Sequence, residues 1–186
     1  MTCIVGIAQA GRVVIGGDAA GVDGGWRLTV RADAKVWTTG EWAFGFTSSF
    51  RMGQILRYRL DPPLREDGQT LEAYLATAWV DHVRHILTDG GWLQTKEGRA
   101  DGGTFLVGHA GRLFIVEDDF QVGEAVDGFA AVGSGAQVAL GALWATRAWR
   151  DRRKRVLTAL EAAERHNAGV RGPFEVVETT APPRPR

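Results

Sequence analysis

The order of apolar and polar positions along the chain predicts two β-hairpins. Apolar runs at residues 2–8 and 12–18 are separated by a short stretch that contains the turn-forming pair Ala-Gly, and the runs within residues 104–118 are separated by His-Ala-Gly-Arg. Two apolar runs joined by a short glycine-containing turn are typical of antiparallel strands. We therefore expect one hairpin at the start of the chain and a similar one in its second half.

Helical spacing of apolar residues is clearest in residues 70–87, where they fall on one stripe. Shorter stretches with the composition of helices predict three more, at 50–60, 136–149 and 156–167. The other extended stretches predict strands at 28–37, 41–49, 129–135 and 173–179, whereas 19–26, 61–69 and 88–103 are expected to be loops.

The sequence of these elements indicates the fold class. Pairs of strands followed by pairs of helices are not the pattern of alternating βαβ units. They favour an α+β fold in which sheets stack on one another and carry the helices on their outer faces. The length of 186 residues fits one domain, which we place at residues 1–179. Residues 180–186, rich in proline and arginine, are expected to form a disordered tail.

Composition and charge exclude several classes of function. The 22 basic and 22 acidic residues cancel, so no net charge favours nucleic acid or a membrane surface, and the basic run at 150–155 is interpreted as a solvated face. Cys3 is the single cysteine, which excludes an internal disulfide and a cysteine-cluster metal site. No run is long enough to span a membrane and the first residues lack the layout of a signal peptide, so we expect a cytoplasmic protein.

The histidines do not predict a metal site. His82 and His85 lie three residues apart on the predicted helix, without the glutamate of a metalloprotease motif. His109 falls in a predicted hairpin turn and is expected to be exposed. We therefore expect no bound metal.

Thr2, directly behind Met1, is the first candidate for chemistry. An aminopeptidase can remove Met1 because the second residue is small. Thr2 would then carry a free α-amine beside its own hydroxyl. Such an amine titrates at about 7.7–8.0, and a threonine paired with its own terminal amine is an activated nucleophile. Taken alone, however, a threonine at this place is more often an ordinary strand residue.

Two charged residues and one turn would complete such a site. Asp18 ends the second predicted strand, beside the start of the first, and Lys35 enters a later strand. Lysine is scarce here, at three residues against 19 arginines, and arginine cannot give up its proton as lysine can. The turn at Ser48 and Ser49, at the predicted start of a helix, would present backbone N–H groups to an oxyanion.

Taken together, the motifs resemble those of proteasome β-type subunits, in the N-terminal nucleophile hydrolase superfamily, and most of all the bacterial proteasome-like threonine peptidases. The resemblance covers residues 2–179. The motifs that carry it are TCIV with Thr2, VVIGGDAAG with Asp18, AKV with Lys35, GFTSS with the amide near Ser48, and AVGSGAQVALGAL with Ser134. Each is weak alone, and their order makes the combination specific.

The resemblance implies both a fold and an activity. The fold is a four-layer αββα sandwich, and the activity is hydrolysis of a peptide or amide bond by Thr2 once Met1 is removed. In this family pattern Asp18 positions Lys35, and Ser134 is an auxiliary residue of the nucleophile.

The resemblance also implies a binding site and an assembly. The amides of Ser48 and Ser49 would hold the oxyanion, and the substrate pocket would lie next to Phe46 and Phe50. No metal or organic cofactor is needed, and the chain would assemble as a homo-oligomer, in a ring or stacked rings. One of these peptidases pairs with an ATP-dependent unfoldase, which makes an unfoldase a candidate partner.

Two departures from the family pattern leave alternatives open. In the relatives, an aspartate and a serine after the last helix help to organise the threonine, whereas the matching stretch ERHNAGVRG places His166 and Gly169 there. A catalytically silent structural or interaction subunit is therefore one alternative. The bulky Phe46 and Phe50 would make the pocket small or close it, so a hydrolase of small, non-protein amides is the other.

Overall fold

Six strands precede the first helix of the chain, and further strands alternate with groups of helices after it. The computed structural model describes residues 1–96 and 99–179. The strands are β1 (Ile4–Gln9), β2 (Arg12–Gly17), β3 (Ala20–Val22), β4 (Leu28–Val30), β5 (Val36–Thr39), β6 (Trp42–Phe46), β7 (Gln94–Lys96), β8 (Arg99–Asp101), β9 (Phe105–His109), β10 (Arg112–Val116), β11 (Val122–Glu124), β12 (Phe129–Val132) and β13 (Glu175–Glu178). The helices are α1 (Phe50–Arg59), α2 (Leu71–Tyr74), α3 (Val80–Asp89), α4 (Ala136–Ala145) and α5 (Arg152–His166), and a π-helical segment, Leu75–Trp79, joins α2 to α3.

Two antiparallel sheets form the centre of the molecule. The first has the strand order β12-β1-β2-β13, and the second has the order β11-β10-β9-β6-β5. Both hairpins expected from the sequence are present, as β1–β2 and β9–β10, and each lies within a different sheet. The short pairs β3–β4 and β7–β8 stand apart from these two sheets.

Three apolar clusters separate four layers. Helices α1 to α3 cover the second sheet through a cluster that contains Trp79, and α4 and α5 cover the first sheet through a cluster that contains Leu160. Between the sheets lies a third cluster of small and branched side chains: Ile4, Val13, Ile15, Val36, Ala43, Leu106, Leu113, Ala130 and Val132. The predicted αββα sandwich is therefore confirmed.

The sheets pack closely because glycines face the space between them. A Cβ added at Gly45 would lie 2.5 Å from Ile4 Cγ2, and one at Gly17 would lie 3.0 Å from Val36 Cγ1, so each would meet a side chain of the other sheet. Since core packing leaves no room for such overlap, larger residues would push the sheets apart. This close approach places the loop before β5 directly against the ends of β1 and β2.

Several sequence predictions need correction. The stretches 19–26 and 88–103 were expected to be loops, but they contain β3 and the hairpin β7–β8. The predicted helix at 156–167 begins earlier, at Arg152, because Asp151 caps it by accepting a hydrogen bond from Lys154 N at 2.9 Å. The basic run is thus largely the first turn of α5.

His109 is also not the exposed turn residue that the sequence predicts. It ends β9 and stacks on Trp42, with 3.8 Å between the ring centroids. Burial lowers the pKa of His109 below 6.5, which favours the neutral ring in this stack.

The predicted tail at 180–186 lies outside the described residues. Among the helices described, none has the length and apolar character to cross a bilayer.

The turns of the two hairpins pack against one another. Ala10 and Gly11 have φ values of 53° and 71°, and Ala110 and Gly111 have values of 50° and 76°. Two positive φ values in a two-residue turn match the twist of antiparallel strands, and glycine adopts them without strain. A Cβ at Gly111 would lie 2.8 Å from Gly11 Cα, so the contact between the turns depends on this glycine.

Replacing Gly111 with alanine is therefore expected to destabilise the fold more than replacing Gly11 with alanine. Either change forces an L side chain into the left-handed region, at about 1–2 kcal/mol. At Gly11 no atom lies within 4 Å of the new Cβ, so only the backbone cost applies. Thermal unfolding should show a Tm lowered by about 2–8 °C for Gly11→Ala and by clearly more for Gly111→Ala. Equal shifts would mean that the turns separate without loss of stability.

Candidate active site

Thr2 is held between the first strand and the loop that begins α4. Its side chain is buried, and its carbonyl oxygen accepts a hydrogen bond from Gly135 N at 3.1 Å. Gly133 passes so close that a Cβ there would lie 2.4 Å from the Thr2 oxygen, and its φ of 95° also favours glycine. The Gly-Ser-Gly stretch at 133–135 therefore fixes the backbone of Thr2.

A buried ion pair lies beside the Thr2 hydroxyl. Lys35 Nζ donates to Asp18 Oδ1 at 2.9 Å and also donates to Thr2 Oγ1. Both charged residues are only 2% exposed. The three residues that the sequence singled out thus meet at one point, although they are far apart along the chain.

The Asp18 carboxylate is fully engaged. Besides Lys35, it accepts backbone hydrogen bonds from Cys3 N at 3.0 Å, Ala20 N at 2.9 Å and Arg171 N at 3.3 Å. Hydrogen bonds to a charged acceptor are short and strong, and they fix its orientation. Asp18 therefore holds the Lys35 amine in a set position against Thr2.

The environment of Lys35 favours its neutral form more than water would. Burial lowers the pKa of Lys35 below 10.5, while the charge of Asp18 and the hydrogen bond to it act in the opposite direction. The positive charge of Arg31 adds to the lowering. An amine with a lowered pKa can take a proton from a neighbouring hydroxyl, which an arginine cannot do.

Ser134 contacts the backbone of Thr2 rather than its side chain. Thr2 N donates to Ser134 Oγ at 3.2 Å, and the same hydroxyl lies 3.3 Å from Thr2 O and from Asn167 Oδ1. In the present chain this nitrogen is the peptide N–H that follows Met1. After removal of Met1 it would be the α-amine, so Ser134 is placed to orient that amine.

Asn167, which the sequence analysis missed, is the residue that supports Ser134. Its Nδ2 donates to Ser134 O at 2.8 Å, and its Oδ1 accepts from Gly169 N at 2.9 Å. His166, which the sequence placed at the family's acidic position, is exposed at the end of α5. The only signal in the sequence was a polar residue directly after the helix, one position beyond the one chosen.

The turn before α1 carries a free backbone donor. Ser49 N donates to Thr47 O at 2.6 Å, and Ser49 Oγ caps the helix by accepting from Arg51 N at 3.0 Å. Ser48 has a φ of 60°, and its hydroxyl accepts from Thr104 N at 3.1 Å. Among the hydrogen bonds of residues 1–96 and 99–179, none uses the N–H of Ser48. Of the two predicted oxyanion donors, the Ser48 amide is therefore the available one.

A cavity of about 290 Å³ opens at these groups. Thr2, Lys35, Ser48, Phe46 and Phe50 all line it, and Phe46 and Phe50 meet edge to face with 5.5 Å between centroids. The sequence left open whether the two phenylalanines close the pocket, and in the structure they line it without closing it. Across the described ranges, no three His, Cys, Asp or Glu side chains come together as metal ligands.

Comparison with known proteins gives matches in structure alone. No protein-family profile and no curated protein matches the sequence. The structure of BPH from Thiobacillus denitrificans in complex with Epoxomicin matches with a TM-score of 0.78 and 23% identity, over 98% of this chain and 100% of that chain. Eukaryotic HslV from Trypanosoma brucei matches with a TM-score of 0.67 and 17% identity, over 95% and 98% of the two chains.

A third match extends the same group of folds. Anbu, described as an ancestral beta-subunit, from Yersinia bercovieri, has a TM-score of 0.64 and 14% identity, over 96% of this chain and 81% of that chain. All three are proteasome-type subunits, and they match almost the whole of this chain. The chain therefore has the fold of the proteasome-type N-terminal nucleophile hydrolases.

Proposed function

We propose that the chain is a threonine-type peptidase or amidohydrolase whose nucleophile is Thr2 Oγ1 after removal of Met1. The observation that carries this proposal is the contact of Lys35 Nζ with Thr2 Oγ1, made by an amine that is buried and held by Asp18. A lysine amine is buried at such a cost that its place against a hydroxyl calls for a reason. Activation of that hydroxyl is the reason that fits the fold.

The reaction follows from the positions of these groups. Thr2 Oγ1 attacks the carbonyl carbon of the substrate, and its proton passes to a neighbouring amine, either Lys35 or the new α-amine beside Ser134. The Ser48 amide stabilises the oxyanion of the tetrahedral intermediate. That intermediate expels the amine of the substrate, which takes up the proton, and leaves an ester on Thr2. Water then attacks the ester, which releases the acid and restores the Thr2 hydroxyl.

The cavity has room for one side chain of a peptide substrate. Its volume of about 290 Å³ lies just below the range of about 300–1,000 Å³ that is typical of ligand pockets, and it opens beside the nucleophile. A side chain of a peptide would enter it while the scissile carbonyl lay against Thr2.

We further propose that the chain works in the cytoplasm as a homo-oligomer, in a ring or stacked rings, with an ATP-dependent unfoldase as a candidate partner.

The alternative of a silent subunit has one observation in its favour. Asn167 Oδ1, which lies 3.3 Å from Ser134 Oγ, is a neutral partner, whereas the family pattern has an aspartate near the end of the last helix. A neutral partner polarises the Ser134 hydroxyl less than a carboxylate would. The silent subunit would assemble normally and react with no electrophile directed at threonine.

Reaction with epoxomicin tests the proposal directly. BPH was solved in complex with this compound. We expect the intact mass of the purified protein to show loss of Met1 and one epoxomicin adduct. Thr2→Ala is the matched control, because alanine also permits removal of Met1 but carries no hydroxyl, and it should remain unmodified. Retention of Met1 together with the absence of any adduct would instead support the silent subunit.

Lys35→Arg is expected to remove activity although it keeps the positive charge. Arginine cannot accept the Thr2 proton, and proton transfer by a positioned group contributes roughly 10²–10⁴-fold to rate. The rate of epoxomicin modification should fall by about that factor in Lys35→Arg and in Lys35→Met alike.

The pH dependence of the rate of epoxomicin modification gives a second test of the role of Lys35. Because burial lowers the pKa of Lys35 below 10.5, the neutral amine forms at a lower pH than in an ordinary lysine. The rate of epoxomicin modification of the wild-type protein should therefore rise with pH and reach its plateau below pH 10.5. An arginine variant with the wild-type rate would show that Lys35 supplies only a charge.

A further inference from the structure

Arg31 is a cation fixed in place within the cavity of the candidate active site. Its guanidinium carbon lies 3.8 Å from the centroid of the Phe50 ring. Its Nε and Nη2 donate to the two carboxylate oxygens of Asp33 at 2.7 and 2.6 Å. Its stem packs over Gly21, where an added Cβ would lie 3.0 Å from Arg31 Cδ. These contacts restrict the orientation of the guanidinium, and the side chain remains 36% exposed.

Arg31 nevertheless keeps unused hydrogen-bond donors. A guanidinium has five N–H groups, and the bidentate pair with Asp33 takes two of them. Within the described part of the chain, no hydrogen bond uses Arg31 Nη1. A second carboxylate can therefore bind the open edge of the guanidinium without displacing Asp33.

Arg57 places a second positive charge near Asp33. The hydrogen bond from Arg31 lowers the pKa of Asp33, and the charge of Arg57 acts in the same direction. The other cations of the cavity are paired as well, Arg27 with Asp23 at 3.3 Å and Lys35 with Asp18. Arg31 differs from both in its exposure: Lys35 is buried and Arg27 is 81% exposed, whereas Arg31 is 36% exposed and presents a positioned guanidinium with an open edge.

Arg31 is also close to the reacting atoms. Both its guanidinium and Lys35 Nζ lie over the Phe50 ring, at 3.8 Å and 5.6 Å from its centroid. Lys35 in turn contacts the Thr2 hydroxyl. Thr2, Lys35 and Arg31 all line the same cavity, so a side chain on the residue that supplies the attacked carbonyl would enter the space that Arg31 borders.

We propose that Arg31 selects substrates with an aspartate or glutamate as the residue that supplies the scissile carbonyl. The inference rests on the proposed function, because it names the substrate class of that same site. The acidic side chain enters the cavity and its carboxylate binds the open edge of the Arg31 guanidinium, which is suited to bidentate recognition. Phe46 and Phe50 pack around the methylene groups of that side chain.

Cleavage of matched fluorogenic peptides tests this selection. Four peptides would differ only in the residue before the scissile bond: glutamate, glutamine, leucine or arginine. We expect kcat/KM for the glutamate peptide to exceed that for glutamine by about tenfold, which corresponds to one charge-assisted hydrogen bond. Glutamine is the decisive comparison because it has the shape of glutamate without its charge.

Two variants separate selection from other effects. Arg31→Met keeps the stem over Gly21 and removes the guanidinium, so the preference for glutamate should vanish. Arg27→Met is the matched control, since Arg27 also lines the cavity but is 81% exposed and paired with Asp23, and the preference should persist. The charge of Arg31 also lowers the pKa of Lys35, so Arg31→Met is expected to slow the cleavage of all four peptides equally.

A binding experiment keeps this inference separate from the proposed catalysis. Amide-capped, labelled peptides ending in glutamate or glutamine would be titrated by fluorescence anisotropy into Thr2→Ala and into Thr2→Ala combined with Arg31→Met. Tighter binding of glutamate that is lost with Arg31 supports the inference, even if wild type forms no epoxomicin adduct and the proposed function fails. An adduct on Thr2 together with equal cleavage and equal binding of glutamate and glutamine would overturn the inference and leave the proposed function standing.

Discussion

The ion pair between Asp18 and Lys35 is the interaction on which the candidate site depends. Two charges taken out of water are costly, and their attraction offsets this only when the remaining lone pairs and protons are also satisfied. Here that is achieved by backbone N–H groups of Cys3, Ala20 and Arg171, which all donate to Asp18. Loss of one partner from a buried pair destabilises a protein by about 3–5 kcal/mol. The pair therefore ties the geometry of the site to the stability of the fold.

The four-layer architecture brings these groups together. Cys3 precedes β1, Ala20 begins β3, Arg171 precedes β13, and Lys35 precedes β5, which belongs to the opposite sheet. Only close packing of the two sheets lets a lysine from one reach an aspartate from the other. The glycines between the sheets permit that approach, so Gly17 and Gly45 act on the site through the spacing of the layers.

Sequence reasoning located the parts of the site that carry a distinct chemical signature. Thr2, Asp18 and Lys35 meet in the structure, where Thr2 lies before β1, Asp18 directly after β2 and Lys35 directly before β5. Asn167 was missed because its role depends on where α5 ends, and helix ends are not fixed by periodicity to within one residue. Strand β3 and the pair β7–β8 were missed because strands of three residues show no alternation long enough to recognise.

The position of Met1 links the structure of the chain to its proposed activation. Met1 lines the same cavity as Thr2, and its side chain lies so close to Gly169 that a Cβ there would be 2.2 Å from Met1 Cβ. While Met1 is present, Thr2 N is a peptide nitrogen with no free lone pair, and part of the space beside the nucleophile is filled. Removal of Met1 would therefore change both conditions at once, since it creates the amine next to Ser134 and clears the approach to Thr2. Gly169 leaves room for Met1 where a larger residue would not.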